Sequence, residues 1–139
     1  MKPSLRLAAL MKIDPIQVFT HDSIGLGEDG PTHQPTEQIN MLRLIPNSYV
    51  FRPCDLKETI VCWKEALKID NAPSFICLSR QNLPQISNKK LVSKNFKGAY
   101  VISGPKKNND ITIIATGSEV SLAVNIAEVL KNNGIIAKV

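Results

Sequence analysis

Short apolar runs and stretches of helical periodicity alternate along this chain. Ile16-Gln17-Val18-Phe19, Tyr49-Val50-Phe51, Ser74-Phe75-Ile76-Cys77-Leu78 and Ile111-Thr112-Ile113-Ile114-Ala115 have the length and residue types of strands. Leu5, Ala8, Ala9 and Lys12 recur at helical spacing over 4–12, after the start signal Pro3-Ser4 and before the stop Asp14-Pro15. Pro35 opens a second predicted helix through Leu44, closed by Ile45-Pro46-Asn47. Asp55 with Glu58 three residues later reads as a capping box. The segment from there to Asp70 puts Leu56, Ile60, Trp63 and Leu67 on one helical face, with Lys57, Lys64 and Lys68 turned away. Thr116-Gly117-Ser118-Glu119 forms a turn and cap before a helix marked by Val120, Ala123, Val124, Ala127 and Leu130, which Gly134 ends. Ile135 to Val139 begins another strand.

Strand–helix alternation with apolar strands predicts an α/β fold built on parallel sheets. The run Ile111 to Ala115 suits a strand buried on both faces. A Rossmann-like layer needs cover on both faces, yet the first strand follows only a short helix and the last strand has none after it. The pattern reads as incomplete at both ends, with a second α/β domain just beginning.

The boundary between the two is predicted from charge. Between Asn82 and Asn109 stand six lysines (Lys89, Lys90, Lys94, Lys97, Lys106, Lys107) and no acid. The whole chain carries +5, so the remainder without these six carries −1. Phe96 and Tyr100 lie in the segment, but no arginine and no nucleic-acid motif accompanies them. A solvated linker is the expected reading, because the segment is too long for an ordinary connection within a domain. The divisions expected are therefore 1–83, a linker at 84–109, and 110–139. With 43% hydrophobic and 21% charged residues in 139, the chain falls among globular proteins. Cys54, Cys62 and Cys77 match no metal or redox spacing and are expected as buried thiols in a reducing compartment. The apolar start Leu5 to Met11 is broken by Arg6 and lacks a cleavage site, and no stretch reaches membrane-spanning length. A cytoplasmic location, with no membrane and no nucleic-acid partner, is expected.

Thr20 to Pro35 is unlike the rest: three glycines, two prolines, three carboxylates and both histidines of the chain share one loop. Such residues disfavour helix and strand and are costly to bury unpaired, so the mixture points to a polar site. In open parallel sheets, ligands bind beyond the carboxyl ends of the strands. The first strand ends on Thr20-His21-Asp22 and the third on Ser79-Arg80, so if the two are parallel neighbours His21 and Arg80 reach one edge. An imidazole and a guanidinium there suit a phosphate or a carboxylate. Taken alone, Arg80 is an ordinary surface charge, His21 a strand-end residue and Asp29 a turn residue. Asp29 and His33, four apart, could jointly contact hydroxyls of a sugar-like ligand, with His33 able to exchange protons near neutral pH. Gly25-x-Gly27-x-x-Gly30 has dinucleotide-fingerprint spacing, but Pro31 follows and no helix opens there, which argues against NAD. Gly117-Ser118-Glu119 is read as a cap in preference to an anion cradle.

These residues also carry a family resemblance. Thr20 to Pro35 resembles the signature loop of transketolases, and Leu78-Ser79-Arg80-Gln81-Asn82-Leu83 a second segment of that family. Arg52-Pro53-Cys54-Asp55 and Ala115-Thr116-Gly117-Ser118-Glu119-Val120 are similar to further family segments, in family order. The likeness covers essentially the whole chain. Related thiamine enzymes such as deoxyxylulose phosphate synthase share only something like Asp29-Gly30-Pro31-Thr32-His33.

The resemblance implies a Rossmann-like thiamine-diphosphate-binding fold: the latter part of a pyrimidine-binding domain, then the start of a C-terminal domain. It implies reversible transfer of a two-carbon ketol group from a ketose phosphate to an aldose phosphate, in the pentose phosphate pathway. His21 and Arg80 would bind the sugar phosphate, Asp29 a substrate hydroxyl, and His33 would act catalytically near the reacting carbon. Thiamine diphosphate and Mg²⁺, or another divalent cation, would be held by residues outside this chain, in a homodimer. The isolated polypeptide is then expected to be inactive. A related thiamine-dependent synthase, or a non-catalytic fragment or split subunit completed by a partner chain, are the competing expectations.

Overall fold

In a computed structural model, residues 2–87 and 98–139 are described. They fall into two compact units, Met1–Pro53 with Cys62–Asn82, and Cys54–Val61 with Leu83–Val139.

The first unit is built on three parallel strands, β1 (Ile16–Phe19), β2 (Tyr49–Phe51) and β3 (Ser74–Cys77). Their spatial order is β1-β3-β2, with Phe19 level with Cys77 and Phe51 level with Ile76. The central strand β3 is buried along its whole length, as a strand flanked on both sides and covered on both faces must be. Alternation puts Phe75 and Cys77 on one face, where they pack with Leu5 and Ala9 of α1 (Lys2–Leu10) and with Leu42 and Ile45. Phe19 joins them, its ring 6.3 Å from that of Phe75.

In this unit the predicted strands hold, with β3 one residue shorter, while the helices shift; the strands expected at 111–115 and from 135 shrink to 111–112 and 137–138. α1 closes before Lys12, which lies in the left-handed region at φ 55° and is exposed. The amides of Lys12 and Ile13 reach back to Ala9 and Ala8, so the terminus is satisfied without a glycine. α2 spans only Gln38–Arg43, because Pro31 starts a separate 3-10 turn and Pro35 lies in the connection. The expected facing of α3 (Leu56–Ala66) is wrong: Leu56, Ile60, Trp63 and Leu67 are 70%, 48%, 38% and 72% exposed. Its buried positions are Cys62 and Ala66. These small side chains lie about 100° round the helix from the large stripe, and let the backbone approach its neighbours closely.

The capping box is present in a variant form. Asp55 Oδ1 accepts the Glu58 amide at 3.0 Å, while Glu58 Oε2 accepts the amide of Cys54, one residue before the cap, at 2.7 Å. Asp55 does more than cap. Its Oδ2 also accepts the amides of Ile86 (3.0 Å) and Ser87 (2.7 Å) and the Gln85 side chain, and Oδ1 accepts the Ser87 hydroxyl at 2.8 Å. Tyr100 donates its phenol to Glu58. All of these groups belong to the second unit.

That unit also contains β4 (Ile111–Thr112), α4 (Glu119–Asn132) and β5 (Ala137–Lys138), with β4 and β5 parallel. β4 is exposed, contrary to the expectation of burial on both faces. In a two-stranded sheet each strand is an edge, and only Ala137 of the pair is buried. α4 buries Val120, Ala123 and Ala127 and ends at Asn133-Gly134 as predicted. Ser118 occupies the N-cap without a side-chain capping bond; its hydroxyl lies 2.8 Å from Glu119 Oε1.

Parts of the segment expected as a solvated linker are hydrogen-bonded to the second unit. Residues 85–87 bind Asp55, Ile102 donates to Val139 at 2.9 Å, and Val139 donates to Ser103 at 3.0 Å. Gly104 lies against the β5 backbone, where an added Cβ would clash with the Ala137 carbonyl. Lys106 and Lys107 are exposed; Lys89, Lys90, Lys94, Phe96 and Lys97 lie outside the described residues.

The three cysteines are free and buried, as expected. Burial, with Asp22 adding to it, raises the Cys77 pKa to about 11, so that thiol stays protonated near neutral pH. No described helix is long and apolar enough to cross a membrane.

Candidate functional site

β1 and β3 are parallel neighbours, so the edge at which Thr20-His21 leaves the sheet is also the edge at which Ser79-Arg80 leaves it. The loop beyond β1 folds as two 3-10 turns, Ile24–Leu26 and Pro31–His33. Ser23 Oγ accepts the Gly25 amide at 3.3 Å and caps the first turn. Gly30 precedes the second at φ 70°, a conformation a side chain would strain. No α-helix opens on the glycine spacing, in keeping with the argument against a dinucleotide fingerprint.

These turns bring both histidines to one cleft of about 540 Å³, floored by Phe19, Leu42 and Cys77 and walled by Thr20 to Asp22 and by Pro31 to Gln38. The His21 and His33 rings are 5.6 Å apart at their centroids. Each histidine follows a threonine whose Oγ1 sits 2.9 Å from its Nδ1, donating or accepting according to the ring tautomer. The repeated Thr-His pair fixes both rings through Nδ1 and leaves Nε2 for other partners. His21 Nε2 lies 3.6 Å from Asp29 Oδ2, too long for a hydrogen bond and attractive only when the ring is protonated. With Asp29 44% exposed, this pair contributes little to stability and leaves the carboxylate open to a ligand.

Of the expected site residues, His21 and His33 line the cleft. Asp29 touches it through His21. Arg80 is exposed just past β3 and is not among the described lining residues. Its neighbour Gln81 packs on the loop, since a Cβ at Gly25 would come within 3.0 Å of Gln81 Nε2. The described residues contain no group of three or more His, Cys, Asp or Glu side chains able to hold a metal ion.

Sequence reasoning missed a buried ion pair beneath the loop. Asp22 Oδ2 accepts Arg52 Nε at 2.7 Å, with the two side chains 1% and 10% exposed. No local pattern announces it, for the partners stand thirty residues apart and each follows a different strand.

Comparisons with known proteins bear on the whole chain. The sequence model of the family described as "Transketolase, pyrimidine binding domain" matches residues 1–85, and that of the "Transketolase-like TK C-terminal domain" matches 98–139. A transketolase of Sinorhizobium medicae is 53% identical over 138 residues, which cover 98% of this chain and 20% of that protein. The crystal structure of transketolase from Pichia stipitis in complex with sedoheptulose-7-phosphate superposes with a TM-score of 0.87 at 46% identity. That match covers 98% of this chain and 20% of the other. A split-gene transketolase described as an inactive β4 tetramer matches at TM-score 0.68 and 28% identity, over 88% of this chain and 37% of the other. The chain thus spans about one-fifth of the length of the curated relatives it matches.

Proposed function

Because this chain belongs to the transketolase family, we propose that it supplies substrate contacts to an enzyme that moves a two-carbon ketol unit from a ketose phosphate to an aldose phosphate. One observation carries the reading: both histidines line a cleft at the carboxyl edge of a parallel sheet, with the Asp29 carboxylate 3.6 Å from His21. His21 and Arg80 receive the phosphate end, where a guanidinium fork and an imidazole suit its oxygens. Asp29 accepts a hydroxyl of the sugar. His33, held by Thr32 at Nδ1, meets the substrate near the reacting carbon and moves a proton through its remaining nitrogen. Thiamine diphosphate, which supplies the carbanion chemistry when bound, and its divalent ion are held by residues outside this chain. The domain reading that goes with this is a pyrimidine-binding part at 1–83, a connection at 84–109 and a C-terminal part at 110–139. A homodimeric, cytoplasmic enzyme of the pentose phosphate pathway completes the proposal.

Arg80→Ala in a full-length transketolase carrying these 139 residues tests the phosphate role. KM for phosphorylated ketoses should rise about tenfold or more, with less than about a twofold change for unphosphorylated ones. Equal effects on both would remove Arg80 from phosphate recognition.

The 139 residues alone, supplied with thiamine diphosphate, Mg²⁺ and sugar phosphates in a coupled assay, should give no ketol transfer. Turnover would overturn the assignment of the cofactor ligands to residues elsewhere. The split-gene neighbour supports a second arrangement, in which a partner chain completes the enzyme. The mass of the native polypeptide and of its complex separates the two.

A further inference from the structure

His21 owes its place to an unusual piece of backbone. It sits in the left-handed region at φ 62°, which non-glycine residues occupy uncommonly. The next residue, Asp22, is the most firmly fixed polar group of the loop: its side chain is 1% exposed and its Oδ2 is 2.7 Å from Arg52 Nε. Arg52 directly follows β2, and Asp22 stands three residues past β1. These are the two outer strands of the sheet, so the pair bridges them beyond the end of the central strand. Cys77, the last residue of that strand, feels both charges, Asp22 raising its pKa and Arg52 opposing.

Stability alone does not account for the pair. Asp22 Oδ1 is buried and makes no hydrogen bond among the described residues. A buried carboxylate with one oxygen unsatisfied is costly, and a well-packed apolar pair would serve the core as well or better. The ion pair gives direction instead: Nε meets one chosen oxygen of the residue that follows His21.

We propose that Asp22, tied down by Arg52, is a positioning residue for His21, holding the left-handed turn that presents the His21 ring to the cleft and so setting how the phosphate end of the substrate is received. This rests on the phosphate role given to His21 above. The test separates the two claims.

Asp22→Asn, Arg52→Lys, His21→Ala and the Asp22→Asn/His21→Ala double variant are made in a full-length transketolase carrying these residues. Each is followed by steady-state kinetics with phosphorylated and unphosphorylated ketoses and by crystallography. Asp22→Asn should raise KM for phosphorylated ketoses about tenfold with kcat within about threefold of the parent, and should add less than about twofold to the KM of His21→Ala. Multiplicative effects in the double variant, or an unmoved His21 ring in the Asp22→Asn crystal structure, would overturn the positioning role. A displaced ring with unchanged KM would support positioning and overturn the phosphate role of His21 instead. Should Asp22→Asn not fold, Arg52→Lys combined with His21→Ala provides the same cycle, because lysine keeps the charge but not the Nε contact.

Discussion

Replacing His33 by alanine in a full-length transketolase that carries these residues should lower kcat/KM by about two to three orders of magnitude, the usual worth of a positioned acid–base group. The loss should fall mainly on kcat, since a residue near the reacting carbon acts more on the transition state than on the bound sugar. Thr32→Val should cost less, roughly tenfold, because it removes only the hydroxyl that sits 2.9 Å from His33 Nδ1 and leaves the ring in place. Steady-state rates with a saturating cofactor supply give both numbers. A His33→Ala enzyme within about threefold of the parent would remove His33 from the chemistry.

Asp55→Ala should be strongly destabilising, at about 3–5 kcal/mol. The loss combines an N-cap with the orphaning of the buried Ser87 amide and the half-buried Ile86 amide. Urea unfolding reads the total, and hydrogen exchange at the Ile86 and Ser87 amides reads the local part. Asp55→Asn, which keeps a carbonyl acceptor, should retain part of the stability. A loss below about 1 kcal/mol would reduce Asp55 to an ordinary cap.

The same group sets a pH dependence. Burial works to raise the Asp55 pKa, but hydrogen bonds from the Glu58 amide and from Ser87 and Ile86 outweigh it, so the carboxyl lies below its ordinary 3.8. A depressed native pKa means that the unfolded chain binds the proton first as pH falls. The stabilisation is complete above that ordinary value and drains away as pH drops through the depressed one. Stability measured in Asp55→Ala should therefore lose that acid-limb component while keeping the rest of its profile.

How much of this was legible depended on whether the signal was local. β1 and β2 carry the boundaries read from the sequence, because short apolar runs ending at polar residues or proline leave little choice of limits. The same holds for Gly134 after α4, and for Asp55 and Glu58, whose spacing names a capping box. The loop Thr20 to Pro35 declared itself by a composition that no core tolerates. The rest depends on partners distant in sequence. Periodicity gives α3 an apolar stripe but cannot say which side is buried, and the small residues Cys62 and Ala66 are the ones buried. The apolar run at 111–115 looked like a central strand, yet centrality depends on how many strands flank it, which lies outside the run. Asp22 reads as one more loop carboxylate until β2 delivers Arg52 to it.

The strand order of the first unit carries a consequence for the emerging polypeptide. Among the described residues β1 and β2 pair with β3, which is the last of the three to be synthesised. At roughly 5–20 residues per second, the segment Ile16–Phe19 waits several seconds on the ribosome before its partner strand exists. β1 waits through the whole of that interval, and β2 joins it only once residue 51 has been made. Chaperone capture during translation should accordingly peak before Cys77 emerges and fall once it has, a vulnerability fixed by connectivity and independent of final stability.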